Sequence, residues 1–173
     1  MAFTLYDAIV PAYQQMLCAL DSLLDKGKQH CTDTGMPDAD LIDARLCEDM
    51  LPFCYQVKSA VVHSKGAIEG VRAGQFSPDM TTPPDTWDAL KARVGEGRVF
   101  VDALTSEEIN ALEGRDMRFK MSAYEAPFTA ENFLTSFSQP NFYFHVTTAY
   151  DILRHKGVPI GKKEYMGKMR IRR

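Results

Sequence analysis

Nothing in this chain of 173 residues approaches the ~18 consecutive apolar positions that a membrane-spanning helix needs. A membrane-spanning helix is excluded on that ground, and no membrane partner is expected. The opening stretch, MAFTLYDAIVPAYQQ, has no basic n-region and no small-residue cleavage site, so no signal peptide is expected and the cytoplasm is the expected location. Cysteine is scarce and badly spaced for metal. Cys18, Cys31, Cys47 and Cys54 form no CxxC pair and have no histidine pair beside them, which excludes a zinc ribbon and reads as reduced thiols. Charge of neither sign is in excess, and a net charge of −3 offers no general argument for a nucleic-acid partner. Also missing are a phosphate-cradling glycine loop and any nucleophile–base–orienter set, so neither nucleotide chemistry nor a hydrolase triad is assigned.

What remains is ordinary globular material. With 45% apolar and 25% charged residues, the chain is long enough to bury one core without staples, hence one domain. The charge is uneven, because residues 156–173 hold seven Lys/Arg against one Glu and leave the rest net acidic. The chain divides accordingly into a helical body, residues 1–161, and a basic C-terminal tail, residues 162–173. The tail reads as solvated chain rather than as a phosphate or membrane-surface patch.

Four stretches carry apolar residues at helical spacing. The first opens at Thr4, an N-cap with Asp7 at N3, and runs through Ile9, Tyr13, Met16, Leu20 and Leu24. A turn around Gly35 and Pro37 and a short helical piece in residues 39–46 lead to the second helix. That helix is expected from about Asp49, with Pro52 in its first turn. Its stripe is Cys54, Val57, Val61, Ser64, Ile68 and Val71. Beside it runs a second row, Gln56, Ala60, His63 and Ala67, in which two polar residues are separated by small ones. Such a face either admits another helix or a small molecule or is a solvent-side edge of the helix.

Residues 74–85, rich in Pro, Thr and Ser, read as a loop. Trp87, Leu90, Val94, Val101 and Leu104 mark the third helix, in which Gly95 and Gly97 are candidate points of close helix contact. Thr105 then caps a short helix. Met117, Phe119 and Met121 alternate with Arg118 and Lys120, a period of two that predicts a strand, and 124–128 returns as its partner. Thr129 caps the next helical stretch, and Pro140 kinks or restarts it.

The fourth stretch is 141–161, NFYFHVTTAYDILRHKGVPIG. Phe142, Val146, Ala149 and Leu153 line one helical face, His145 lies inside that arc, and Gly157 and Pro159 end the helix. An imidazole in an apolar stripe either satisfies a structural hydrogen bond or helps to build a site. Four amphipathic segments with short joins predict an all-α fold, an antiparallel four-helix bundle with a short β-hairpin inserted before the last helix.

The stretches TLYDAIVPAYQQMLCALDSLLDKG, RLCEDMLPFCYQVKSAVVHSKGA and PNFYFHVTTAYDILRHKGVPIGKKEYMG resemble an uncharacterised, domain-of-unknown-function branch of the DinB-like superfamily. The resemblance covers most of the chain. It implies a four-helix bundle, a homodimer and, as in many members, a divalent metal such as zinc or nickel on three histidines. One of these stands on helix 2 and two stand at i, i+4 on the last helix. Some such members are thiol-dependent transferases or isomerases. Carried over, His63 takes the helix 2 position and His145 the first position on the last helix. The remaining position is Ala149, which has no donor atom, and two imidazoles with water hold zinc poorly. His155 lies ~15 Å further along its helix and His30 near the far end of helix 1, so neither completes the set. Cys18 is level with His63 but points away from the helix 1 core stripe.

Three readings stay open. In one, His63 and His145 are polar groups of a small-molecule pocket without metal, with Gln56, Asn141 and Thr148 as hydrogen-bonding candidates. In another, a metal-dependent enzyme of the DinB-like type has a further ligand elsewhere. In the third, the protein is structural or an interaction module, and its histidines are satisfied core residues. Imidazoles within ~5 Å of each other and opening on a cavity would support a site, whereas imidazoles bonded to carbonyls and sealed in would not. A homodimer is also expected because the apolar helix surface exceeds what one bundle interior absorbs.

Overall fold

Helix α1, Leu5–Thr34, starts where Thr4 and Asp7 satisfy each other's backbone donors. Thr4 Oγ1 accepts from Asp7 N at 3.2 Å, and Asp7 Oδ2 accepts from Thr4 N at 3.1 Å. The helix stops at Gly35, which takes the left-handed conformation (φ 71°) that glycine adopts without steric cost. The computed structural model describes residues 2–172. A short α2, Asp38–Ile42, precedes the second long rod.

That rod is continuous through α3 (Phe53–Val61), a π-helical turn (Val62–Gly66) and α4 (Ala67–Ala73). It begins at Phe53 and not near Asp49. Pro52 is the extended N-cap (φ −70°, ψ 170°), and a proline disfavours helical geometry in the residue before it. Helix α5, Trp87–Asp102, is capped by Thr86, and α6, Ser106–Asn110, by a second reciprocal box between Thr105 and Glu108. The last rod joins α7 (Ala130–Asn132), a second π-helical turn (Phe133–Ser138) and α8 (Gln139–His155). Pro140 lacks the amide that a regular helix needs there, and the wide turn just before it absorbs the break.

The four rods pack on one another, α1 against α5 and α8, and α3 against α8 and α5. Ile9, Leu17, Leu20, Val57, Leu90, Val94, Val146 and Leu153 are among the buried side chains between them. Gly97 permits the close approach expected of it, since a Cβ there would lie 3.1 Å from Val61 Cγ1. Gly95 faces open space instead. A second close point was not anticipated. The Trp87 ring lies over Gly27, where a Cβ would be 2.7 Å from the ring.

The fold is mostly helical but not all-α. Three strands form a mixed sheet in the order β1-β2-β3, with β1 Gln75–Phe76, β2 Asp116–Met121 and β3 Tyr124–Thr129. Strands β2 and β3 pair antiparallel, as the alternation predicted. Strand β1 comes from the stretch read as loop and adds in parallel, Gln75 opposite Arg118 and Phe76 opposite Phe119. Two residues are too few to show a period of two. Arg118 N donates to Gly74 O at 3.0 Å, so its polar backbone faces β1. Its partner across the ladder, Pro127, therefore turns its nitrogen outward to the open edge. A proline placed so costs the sheet no bond and blunts an edge that could recruit another strand.

The basic end is not all tail. Helix α9, Lys162–Met166, packs on α1, and Met166 O accepts from Gln15 Nε2 at 2.7 Å. The Tyr165 hydroxyl shares a 2.9 Å hydrogen bond with Thr147 of α8. Between the lysines, Tyr165 packs against the core, a contact that the charge count obscured. No helix among the described residues is long and apolar enough to cross a membrane.

Candidate functional site

The two π turns meet. Ser138, at the end of the second, is fully buried and donates its hydroxyl to the carbonyl of His63, in the first, at 2.9 Å. Each π turn widens its rod by a residue and re-aims the side chains beyond it, a distortion that recurs at functional sites. Here the result is that His63 on the second rod faces His145 on the last. Their rings are 18° from parallel with centroids 5.6 Å apart.

Gln56 and His145 make the clearest contact in the site, His145 Nδ1 to Gln56 Oε1 at 2.7 Å. The amide cannot be turned around, because Gln56 Nε2 donates to Leu51 O at 2.8 Å and a carbonyl only accepts. His145 therefore carries its proton on Nδ1, and its Nε2 lone pair is free. His63 has a weaker version of the same arrangement. Its Nδ1 lies 3.5 Å from Ser138 Oγ, whose own proton is committed to the His63 carbonyl, so Nδ1–H toward that oxygen is the favourable tautomer. Among the described residues, the side-chain nitrogens and oxygens enclosed without a partner are Tyr13 Oη and Trp87 Nε1. Neither imidazole Nε2 forms a hydrogen bond, and neither is one of those enclosed atoms.

Aromatic rings surround the pair. Tyr55 and Phe144 flank His145 with centroids at 6.0 and 5.3 Å, and Phe76 and Phe137 flank His63 at 5.5 and 5.7 Å. Behind them Tyr13 packs edge-on to Phe142 at 4.6 Å. Burial pushes the pKa of its hydroxyl up, and neighbouring Ser138 partly offsets that. A cavity of about 270 Å³ lies on the other side of the His63 turn, between Val62, Gly66 and Phe76, and neither imidazole lines it. Burial holds both histidines neutral: it lowers His63 from 6.5 to about 3, with a smaller push from His145, and lowers His145 to about 4. No carboxylate or cation contributes to either shift.

Of the residues singled out in the sequence, His63, His145 and Gln56 come together. Asn141 does not join them. Its amide donates to Phe137 O at 2.7 Å, satisfying a carbonyl of the π turn in its own rod. Thr148 is buried and bonds to neither imidazole. Phe137 and Ser138 were missed because a π turn has no sequence period by which to place them, Phe76 because its strand is two residues long, and Tyr55 because it lies on α3 outside the rows singled out there. The metal that the DinB-like resemblance implies does not fit these donors. Ala149 is fully buried with no ligating atom, and no three His, Cys, Asp or Glu side chains among the described residues converge to hold an ion. His30 sits by Gly157 at the other end of α8, and Cys18 is exposed on α1.

Comparison with known proteins places the chain in a family. A crystallised DinB family member protein from Shewanella denitrificans is similar over 98% of this chain and 95% of its own, with a TM-score of 0.82 and 26% identity. No curated protein matches the chain. Residues 5–166 match the family described as domain of unknown function (DUF1993). The chain belongs to that family, on a DinB-like fold.

Proposed function

We propose that His63, His145 and Gln56 form a small-molecule binding site at the junction of the second and last rods. One observation supports this above the others: two neutral imidazoles stand side by side, each with an Nε2 that makes no hydrogen bond and is not one of the enclosed, unpartnered atoms. Core histidines satisfied for structural reasons would have both nitrogens engaged or enclosed. A fragment screen by ligand-observed NMR tests the reading. Hits on the wild type should be lost in both His63→Phe and His145→Phe. Hits that survive both substitutions would place binding elsewhere.

A metal-dependent enzyme of the DinB-like type is the second reading. The orienting bond from His145 Nδ1 to Gln56 is the kind that holds metal-bound imidazoles, while the donor count opposes it. The finer architecture belongs to the proposal as well. The rods run antiparallel as a four-helix bundle, two copies pair through exposed apolar side chains such as Tyr143, Phe144 and Val99, and the protein works in the cytoplasm. Light scattering that gives the mass of one chain at micromolar concentration would remove the pairing.

A further inference from the structure

We infer that the ligand of the His63–His145 site is an uncharged molecule with an apolar, flat body and an O–H or N–H donor, and that Gln56 and Ser138 are the positioning residues that aim two acceptor lone pairs at it. The inference rests on the small-molecule reading above and adds the chemical class. Both the groups present in the site and those missing from it point this way.

The polar atoms left over are acceptors. Gln56 holds the Nδ1–H of His145 at 2.7 Å, and Ser138 lies beside Nδ1 of His63. With both protons on the inner nitrogens, the outer Nε2 atoms have nothing to donate. A ligand group that only accepts, such as a ketone or ether oxygen, would set lone pair against lone pair. A hydroxyl or an amide N–H completes the bond. Around these acceptors stand Tyr55, Phe76, Phe137 and Phe144, whose faces and edges favour offset contact with another ring.

Charge of either sign is disfavoured. An anion finds no partner, since no cation acts on either imidazole and both are neutral. A cation meets the same poor solvation that keeps the imidazoles from protonating, without a carboxylate to offset it. Aromatic faces attract cations, but in a site without a carboxylate that attraction does not offset the lost hydration. A neutral donor avoids both costs. Its proton also stays where it is, because imidazoles this weakly basic cannot take one from an alcohol or an amide.

Four probes of one shape separate the possibilities: benzyl alcohol, benzylammonium, benzoate and toluene, titrated into the full chain and followed by nitrogen-detected NMR of the imidazoles. The wild type should show both histidines as the Nδ1–H tautomer. Benzyl alcohol should move both Nε2 resonances, and the other three should bind about tenfold more weakly or not at all. Gln56→Leu, with an unchanged helical spectrum, should let His145 exchange tautomers and weaken the alcohol by about fivefold or more. Benzoate or benzylammonium binding at least as well as the alcohol, with loss in the histidine variants, would overturn the ligand class and leave the site standing. Toluene equal to the alcohol would overturn the acceptor role. An Nε2–H tautomer at both histidines, or no response to any probe, would overturn the inference outright, while the fragment screen separately decides whether the site binds anything.

Discussion

His63 and His145 stack with their rings 18° from parallel, and burial keeps both uncharged. Their neutrality makes stability depend on pH. In the unfolded chain each histidine titrates near 6.5, and in the folded protein at about 3 for His63 and about 4 for His145. Between those values the unfolded chain binds more protons, so stability is complete above about pH 6.5 and is lost as the pH falls toward the folded values. Each histidine steepens the decline by up to ~1.4 kcal/mol per pH unit. Urea unfolding between about pH 7 and pH 4.5 measures it, and the double substitution His63→Asn/His145→Asn should flatten the slope. An identical slope in the double variant would mean that the pair is charged or exposed.

Two glycines that look alike in the sequence should respond oppositely to alanine. At Gly27 a methyl would stand 2.7 Å from the Trp87 ring, a rigid group that Phe53 also packs against, with centroids 5.8 Å apart. Overpacking of this kind costs ~1–3 kcal/mol, against the ~1 kcal/mol that alanine contributes to a helix. Gly27→Ala should therefore be neutral to destabilising by up to ~2 kcal/mol, and Gly95→Ala, with open space around it, stabilising by up to ~1 kcal/mol. Chemical denaturation of both ranks them. A stabilised Gly27→Ala would show that Trp87 can move aside.

The helical rods were legible in the sequence because they follow from period, and the pairing of His63 with His145 was legible only through the resemblance to the DinB-like superfamily. Apolar residues three and four apart fix which face is buried, and Gln56, Ala60 and His63 lie on one line along the face that meets α8. What was not legible depends on contacts distant in the chain. Strand β1 exists because Gly74 and Phe76 find Arg118 and Phe119 more than forty positions away. The π turns conform to partners on other rods, so nothing in the sequence set Ser138 apart. Asn141 pointed to the site by its position on the wheel. The carbonyl of Phe137 claimed it first.

The C-terminal residues should divide at Gly167. Up to that point the chain is tied down. Gly161 N donates to Glu164 at 2.7 Å, Tyr165 packs on Tyr150 with centroids 5.6 Å apart, and Gly167 stands close over Ala19. Beyond it Met169 and Ile171 are exposed. Deleting residues 168–173 should change the melting temperature by less than ~3 °C, about 1 kcal/mol for a chain of this length. Deleting residues 162–173 should lower it by more than ~5 °C, because it removes the partners of Gln15 and Thr147 as well. Equal melting temperatures for the two truncations would show that α9 contributes nothing to the fold.

The donor count at the histidine pair can be changed by one residue. Ala149 is one turn beyond His145 on α8 and fully buried on the same apolar face. Ala149→His would set two imidazoles in one direction with His63 across from them, the number of protein ligands that zinc sites require. The larger side chain should cost ~1–3 kcal/mol in the metal-free protein, and added zinc or nickel should recover part of that by binding the folded state alone. Thermal melts with and without each ion, together with elemental analysis, read both effects. The variant should melt higher with metal, and the wild type, with two donors, should not respond. Stoichiometric, chelator-resistant metal in the wild type would bring the metal-dependent reading to the front. If neither protein responds, the two Nε2 atoms do not converge on an ion, and the carry-over of a metal site from the DinB-like superfamily fails at this pair.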